Sequence, residues 1–165
     1  MNRQQRAPFE FAGTFVPAGR AAVVELSVPP LVTGARISLP VRVFHGRHDG
    51  PVVWVSAAIH GDEIGGVEIV RRVSARLVPR QLRGTVLSVP IVNVHGFLSG
   101  DRYLPDRRDL NRSFPGSTKG SLASRVASSF MREIVARSDV GIDLHTGSDH
   151  RSNLAQLRGD FDDPK

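Results

Sequence analysis

The stretch Val52–Val70, VVWVSAAIHGDEIGGVEIV, decides how the chain is read. An apolar run of β-type residues from Val52 to Ile59 meets His60-Gly61-Asp62-Glu63, and an apolar rhythm of a different period follows. A continuous run of that kind predicts a strand buried on both faces. Beyond it, Ile64, Val67, Ile69, Val70, Val73 and Leu77 fall at helical spacing. That pattern predicts a helix over 62–77, with Asp62 and Glu63 in a first turn whose dipole favours negative charge. The interruption therefore sits at a strand-to-helix turn. In open α/β sheets, ligands bind beyond the carboxyl ends of the strands, where such turns lie.

Further strands and helices flank this unit. Ala22–Val28 and Arg36–Phe44 alternate as strands do, joined by a turn punctuated with Pro and Gly. Gly84–Val94 is another strand candidate, and Val140–Leu144 is a short one that runs into His145. Ser121–Arg137 carries a helical stripe of Leu122, Val126, Phe130, Ile134 and Val135, with Ser121 placed as its cap. Residues 1–20 are rich in Pro, Gly and Arg and are expected to be loosely ordered, and the pattern dissolves again from Thr146 to Lys165. Gly96–Gly120 shows no period, and a loop of that length is uncommon in a compact domain unless it is functional. Strand, helix, strand, long loop, helix, strand predicts an α/β fold: one domain with a mixed, largely parallel sheet flanked by helices.

Composition narrows the chemistry. The 165 residues, 40% hydrophobic and 23% charged, suit one soluble globular domain. No apolar run approaches the ~20 residues that span a bilayer, and the N-terminus lacks an export signal, so a cytoplasmic address and no membrane partner are expected. Cys is absent, which confines any metal site to His and carboxylate ligands. The formal charge of +6 comes almost wholly from Arg and raises nucleic acid as a partner. The arginines are scattered, however, and one Trp and one Tyr leave little to stack on bases. Small anionic substrates fit the charge better, because Arg grips a carboxylate with two parallel hydrogen bonds.

His60 and Glu63, three residues apart across the turn, are a zinc-competent pair. Alone the pair is a weak signal, since acidic residues also cap helices and a His at a strand end is usually just hydrogen-bonded. Asp143-Leu144-His145-Thr146-Gly147 strengthens it by placing a third ligand at the end of a second strand, with Asp143 and His145 alternating to the same side. His45 and His48 lie in a polar turn and His150 in the tail. His95 follows a strand and is the one serious rival, read as a surface histidine. In the long loop, Asn111 and Arg112 offer an amide and a guanidinium to a carboxylate terminus, and a further Arg near the metal could stabilise an oxyanion. Arg107 and Arg108 read equally well as solvated charges.

HGDE, then RYLPDRRDLNRSFPG, then DLHTG, in register between Val52 and about Asn153, resemble the succinylglutamate desuccinylase/aspartoacylase family. The resemblance implies a zinc-carboxypeptidase-like fold and a hydrolase that cleaves the amide bond of an N-acyl amino acid or a similar small carboxylate-bearing substrate. It implies one Zn2+ per chain on His60, Glu63 and His145, and substrate-carboxylate binding by Asn111 and Arg112. It also implies carbonyl polarisation by Arg102, with Arg108 as the alternative, and a hydrogen bond from His60 to Asp109 that sets the ligand's tautomer. The family's general base is a Glu well downstream of DLHTG, whereas the last Glu here is Glu133, and Asp160, Asp162 and Asp163 follow too soon. An N-terminal portion of a metallohydrolase is therefore expected, inactive or weakly active alone, with a sheet incomplete on its C-terminal side. Its open edge and exposed apolar face would favour homo-oligomers or marginal stability. The alternative from another class is a non-catalytic metal- or anion-binding module.

Overall fold

The computed structural model describes residues 6–31, 33–148 and 151–159; His150, Asp160, Asp162 and Asp163 lie outside them. Its strands are β1 (Phe9–Phe11), β2 (Thr14–Val16), β3 (Arg20–Ser27), β4 (Ser38–His45), β5 (His48–Ala57), β6 (Arg83–Val89) and β7 (Val140–Leu144). The helices are α1 (Ile64–Arg76), α2 (Val94–Ser99) and α3 (Leu122–Glu133). Five strands form one sheet in the order β3-β4-β6-β5-β7. β5 runs parallel to both β6 and β7, and β3, β4 and β6 pair antiparallel in turn, so the sheet is mixed as expected. Parallel neighbours need a crossover. α1 provides it between β5 and β6, and the long loop with α3 then carries the chain from β6 past β5 to β7 on its far side.

Alternation along β5 settles which helix covers which face. A Cβ on Gly66 of α1 would meet the Cβ atoms of Ala57 and Leu144 at 3.0 and 3.1 Å, so α1 lies on that face with little clearance. Trp54 points to the other face, where its ring meets Phe130 of α3 edge-on at 5.4 Å. The main core lies on the α3 side and includes Leu39, Val41, Leu87, Leu110, Val126, Phe130 and Ile134. The α1 side is thinner: Val70 is fully buried, but Ile69 and Val73 are half exposed, and so are Val140 and Ile142 of β7. β7 is the last strand on its side among the described residues, so the expected open edge and apolar face are both present. No described helix is long and apolar enough to cross a membrane.

Several sequence expectations need correction. Residues 6–20 are not loose: β1 and β2 form a hairpin whose Phe11 and Val16 are buried, because FEF and TFV alternate around a tight turn. Glu10 accepts the Gly13 amide at 2.8 Å across that turn, and Arg137 pairs with Glu10 at 2.8 Å. β5 is half-buried from Val52 to Val55 and fully buried only at Ser56 and Ala57. The Gly84–Val94 strand stops at Val89, and α2 follows because the Asn93 side chain caps it by accepting the Gly96 amide at 2.8 Å. His45 is no turn residue. It ends β4 with 2% of its surface exposed, and its ring bonds Thr85 and the Ala7 carbonyl.

Candidate metal centre

β5 ends at Ala57, and residues 58–63 carry the chain from the sheet to α1. Asp62 and Glu63 precede the helix rather than forming its first turn, and Glu63 makes no capping bond. Its carboxylate is used elsewhere. His60 Nδ1 lies 2.7 Å from Glu63 Oε1, and His145 Nδ1 lies 2.9 Å from Glu63 Oε2, which also accepts the Thr146 amide at 2.9 Å. The two imidazole rings are 5.0 Å apart, and one donor atom from each of the three residues falls within 4.8 Å of the others. Among the described residues, this is the one group of three or more His, Asp or Glu side chains arranged to hold a metal.

The donors fit zinc. Two imidazole nitrogens and a carboxylate oxygen are a set of three protein ligands that catalytic zinc sites use. Burial supports the fit: His60 and Glu63 are each 3% exposed, an expensive place for a carboxylate unless its partners are ionic or metallic. Burial pushes the Glu63 carboxyl up, but hydrogen bonds from His145, His60 and the Thr146 amide outweigh it and hold the group well below the usual carboxylate range. His145 moves the opposite way. Its hydrogen bonds to Asp143 and then to Glu63 push it up to about 10 against the effect of burial.

Asp109 organises the remaining side. Its Oδ1 accepts from His60 Nε2 at 3.2 Å and from the Asn111 amide at 2.9 Å, while Oδ2 accepts Arg102 Nη2 at 2.8 Å. Burial pushes the Asp109 carboxyl up, but Arg102 and His60 more than offset that and keep it lowered. Arg102 reaches further inward, with Nη1 3.7 Å from Glu63 Oε1. Arg108 is exposed, whereas Arg102 pairs with Asp109 and reaches toward Glu63, so of the two arginines Arg102 is the one that borders the centre. Asn111 and Arg112 lie on a short 3-10 turn (Leu110–Arg112), Asn111 half-buried and Arg112 exposed. His95 lies in α2, half-buried, outside the metal-competent group.

Close backbone packing holds the turn in place. A Cβ on Gly61 would lie 2.0 Å from the Gly96 carbonyl carbon, so the HGDE turn rests directly on α2. Sequence reading missed Asn93, which is 1% exposed, caps α2 and donates from Nδ2 to the Arg102 carbonyl at 3.2 Å. It carries no motif signal, because its role depends on contacts that form only in the fold. Asp143 had a signal in its alternation with His145, and its Oδ2 lies 2.6 Å from His145 Nε2.

Residues 49–165 match the succinylglutamate desuccinylase/aspartoacylase catalytic domain. The chain belongs to that family. N-alpha-acetyl-L-2,4-diaminobutyric acid deacetylase from Halomonas elongata is 38% identical over 112 residues, which are 67% of this chain and 32% of that protein. Succinylglutamate desuccinylase from Burkholderia cenocepacia is 42% identical over 79 residues, 46% of this chain and 21% of that enzyme. Both names describe deacylases of N-acyl amino acids. The crystal structure of the succinylglutamatedesuccinylase/aspartoacylase from Rhodobacter sphaeroides superposes with a TM-score of 0.72 at 27% identity, over 81% of this chain and 42% of that one. The product-bound ectoine utilization protein EutE (DoeB) from Ruegeria pomeroyi gives a TM-score of 0.71 at 28% identity, over 87% and 44%. The chain thus spans at most about a third of the sequence relatives quoted and under half of the solved structures.

Proposed function

We propose that the chain carries the metal-binding half of a zinc-dependent amidohydrolase that removes the acyl group from an N-acyl amino acid or a similar small carboxylate-bearing substrate. The convergence of His60, Glu63 and His145 on one point carries this reading. These three residues would hold one Zn2+ per chain, which would supply Lewis acidity toward water and toward the acyl carbonyl. The chain's own groups orient the ligands and the substrate. Asp109 accepts the Nε2 proton of His60, so that Nδ1, which faces Glu63, is the ring atom turned toward the metal position. Arg102, aimed at the centre and steadied by Asp109, supplies positive charge where negative charge develops on the carbonyl oxygen. Asn111 and Arg112, at the rim, bind the substrate's carboxylate and set the amide over the centre.

Elemental analysis of purified protein tests the reading, with one zinc expected per chain. His60→Ala and His145→Ala should each remove it. Unchanged zinc in both variants refutes the ligand set.

A second reading, a non-catalytic metal- or anion-binding module, is favoured by one observation: the segment that follows His145, residues 146–165, contains no Glu to accept a proton. Hydrolysis of N-acetyl and N-succinyl amino acids, assayed for this chain alone and for this chain joined to the downstream segment of a full-length relative, separates the two. The amidohydrolase reading predicts weak or no turnover by this chain alone and turnover by the joined protein that is lost in His60→Ala, whereas the module reading predicts no turnover by either.

A further inference from the structure

We infer that Ser56 and Asp143 form a positioning pair that holds His145 with its proton on Nε2 and its Nδ1 turned toward the metal. The inference rests on the metal-centre reading above and extends it to residues with no assigned part. Ser56 is the penultimate residue of β5, and Asp143 lies directly opposite it in the parallel register of β7. Residues paired in this way share a face, so the hydroxyl and the carboxylate meet without distortion. Ser56 Oγ donates to Asp143 Oδ1 at 2.5 Å, and Asp143 Oδ2 lies 2.6 Å from His145 Nε2. Both carboxylate oxygens are thus engaged, one on each side, and the group cannot rotate without breaking a bond.

His145 needs such a support. The His60 side chain is 4% exposed and is walled in, whereas the His145 side chain is 35% exposed. Packing alone leaves that ring free to turn. The bond to Asp143 fixes its plane and its tautomer together. The same logic operates at His60, where Asp109 takes the Nε2 side and Glu63 faces Nδ1. Ser56 is fully buried, a position where a hydroxyl must find an acceptor, and the acceptor it finds is the carboxylate behind the ligand. One step down the same face, the Trp54 ring lies against Gly141, where a Cβ would come within 2.1 Å of the indole. That contact sets β7 laterally against β5, so the Ser56–Asp143 bond forms in a fixed frame.

Zinc affinity, measured by chelator competition on the intact chain, tests the pair without any need for turnover. Asp143→Ala should weaken binding 10- to 100-fold, the range found when a ligand's outer partner is removed. Asp143→Asn keeps an acceptor for the Nε2 proton and should lose less. Ser56→Ala should weaken binding several-fold, and adding it to Asp143→Ala should cost nothing more, because Ser56 acts only through that carboxylate. Ser56→Ala deletes one oxygen from a strand interior and keeps the inference testable if Asp143→Ala does not fold. Wild-type zinc affinity in Ser56→Ala and Asp143→Asn, with a lowered unfolding midpoint, would make the pair a strand fastener only and overturn the inference while the metal centre stands. Wild-type affinity in His145→Ala would overturn the centre itself, and the inference with it.

Discussion

Replacing Gly61 with Ala puts a methyl group where the fold leaves no room. The new Cβ would lie 2.0 Å from the Gly96 carbonyl carbon, 2.2 Å from Phe97 N and 2.5 Å from the Asp101 carbonyl oxygen. Carbon atoms in ordinary contact sit about 3.5 Å apart or more, so the turn and α2 must separate by roughly 1.5 Å. All three obstacles are backbone atoms, and α2 is pinned by the Asn93 cap, so no side chain can rotate aside. His60 adjoins Gly61, and Glu63 lies two residues on. A shift of that size far exceeds the ~0.2 Å within which zinc–ligand distances vary. Overpacking of this kind costs about 1–3 kcal/mol, sometimes more. The variant should therefore unfold at lower urea, followed by Trp54 fluorescence, and should bind zinc at least tenfold more weakly. Gly100→Ala is the control: φ is +66° there but nothing lies within 4 Å, so about 1–2 kcal/mol of backbone strain should leave zinc affinity alone. Wild-type zinc affinity and an unchanged midpoint in Gly61→Ala would refute the close-approach explanation.

Three other outcomes follow from the same structure. Burial lowers the pKa of His45 below 6.5, so the folded state resists its protonation while the unfolded chain accepts it. Stability should hold above pH 6.5 and fall as pH drops from there toward the folded pKa, by at most about 1.4 kcal/mol per unit for one proton; His45→Gln should flatten that slope in urea titrations at stepped pH. Phe130→Ala removes a ring that is 1% exposed and packs on Trp54 and Phe114, and should cost about 3–5 kcal/mol by thermal or urea unfolding. In a catalytically complete relative, replacing the arginine that matches Arg102 with Ala should cut kcat about 10²- to 10³-fold with zinc content unchanged, whereas the match to Arg108 should tolerate Ala.

Local pattern alone determined much of this protein. Period-two and period-3.6 apolar spacing marked β3, β4, β5, α1, α3 and β7 to within a few residues, because these patterns report which side of one element meets the core. HGDE and DLHTG carried the donor types for the same reason: a motif is local chemistry. The N-terminal hairpin escaped because its short strands hold too few residues for a period to emerge, and it is fastened by Arg137, far away in sequence. α2 escaped because its six residues are held by one side-chain cap. Only the tertiary structure decided that His145 reaches Glu63 across 82 residues, since that depends on β7 pairing in parallel beside β5. It also singled out Arg102 over Arg108 as the arginine beside the centre, through the shared bond to Asp109. Spacing along a chain limits what neighbours can do, whereas strand order and register bring distant groups together, and those arise from the packing of the whole sheet.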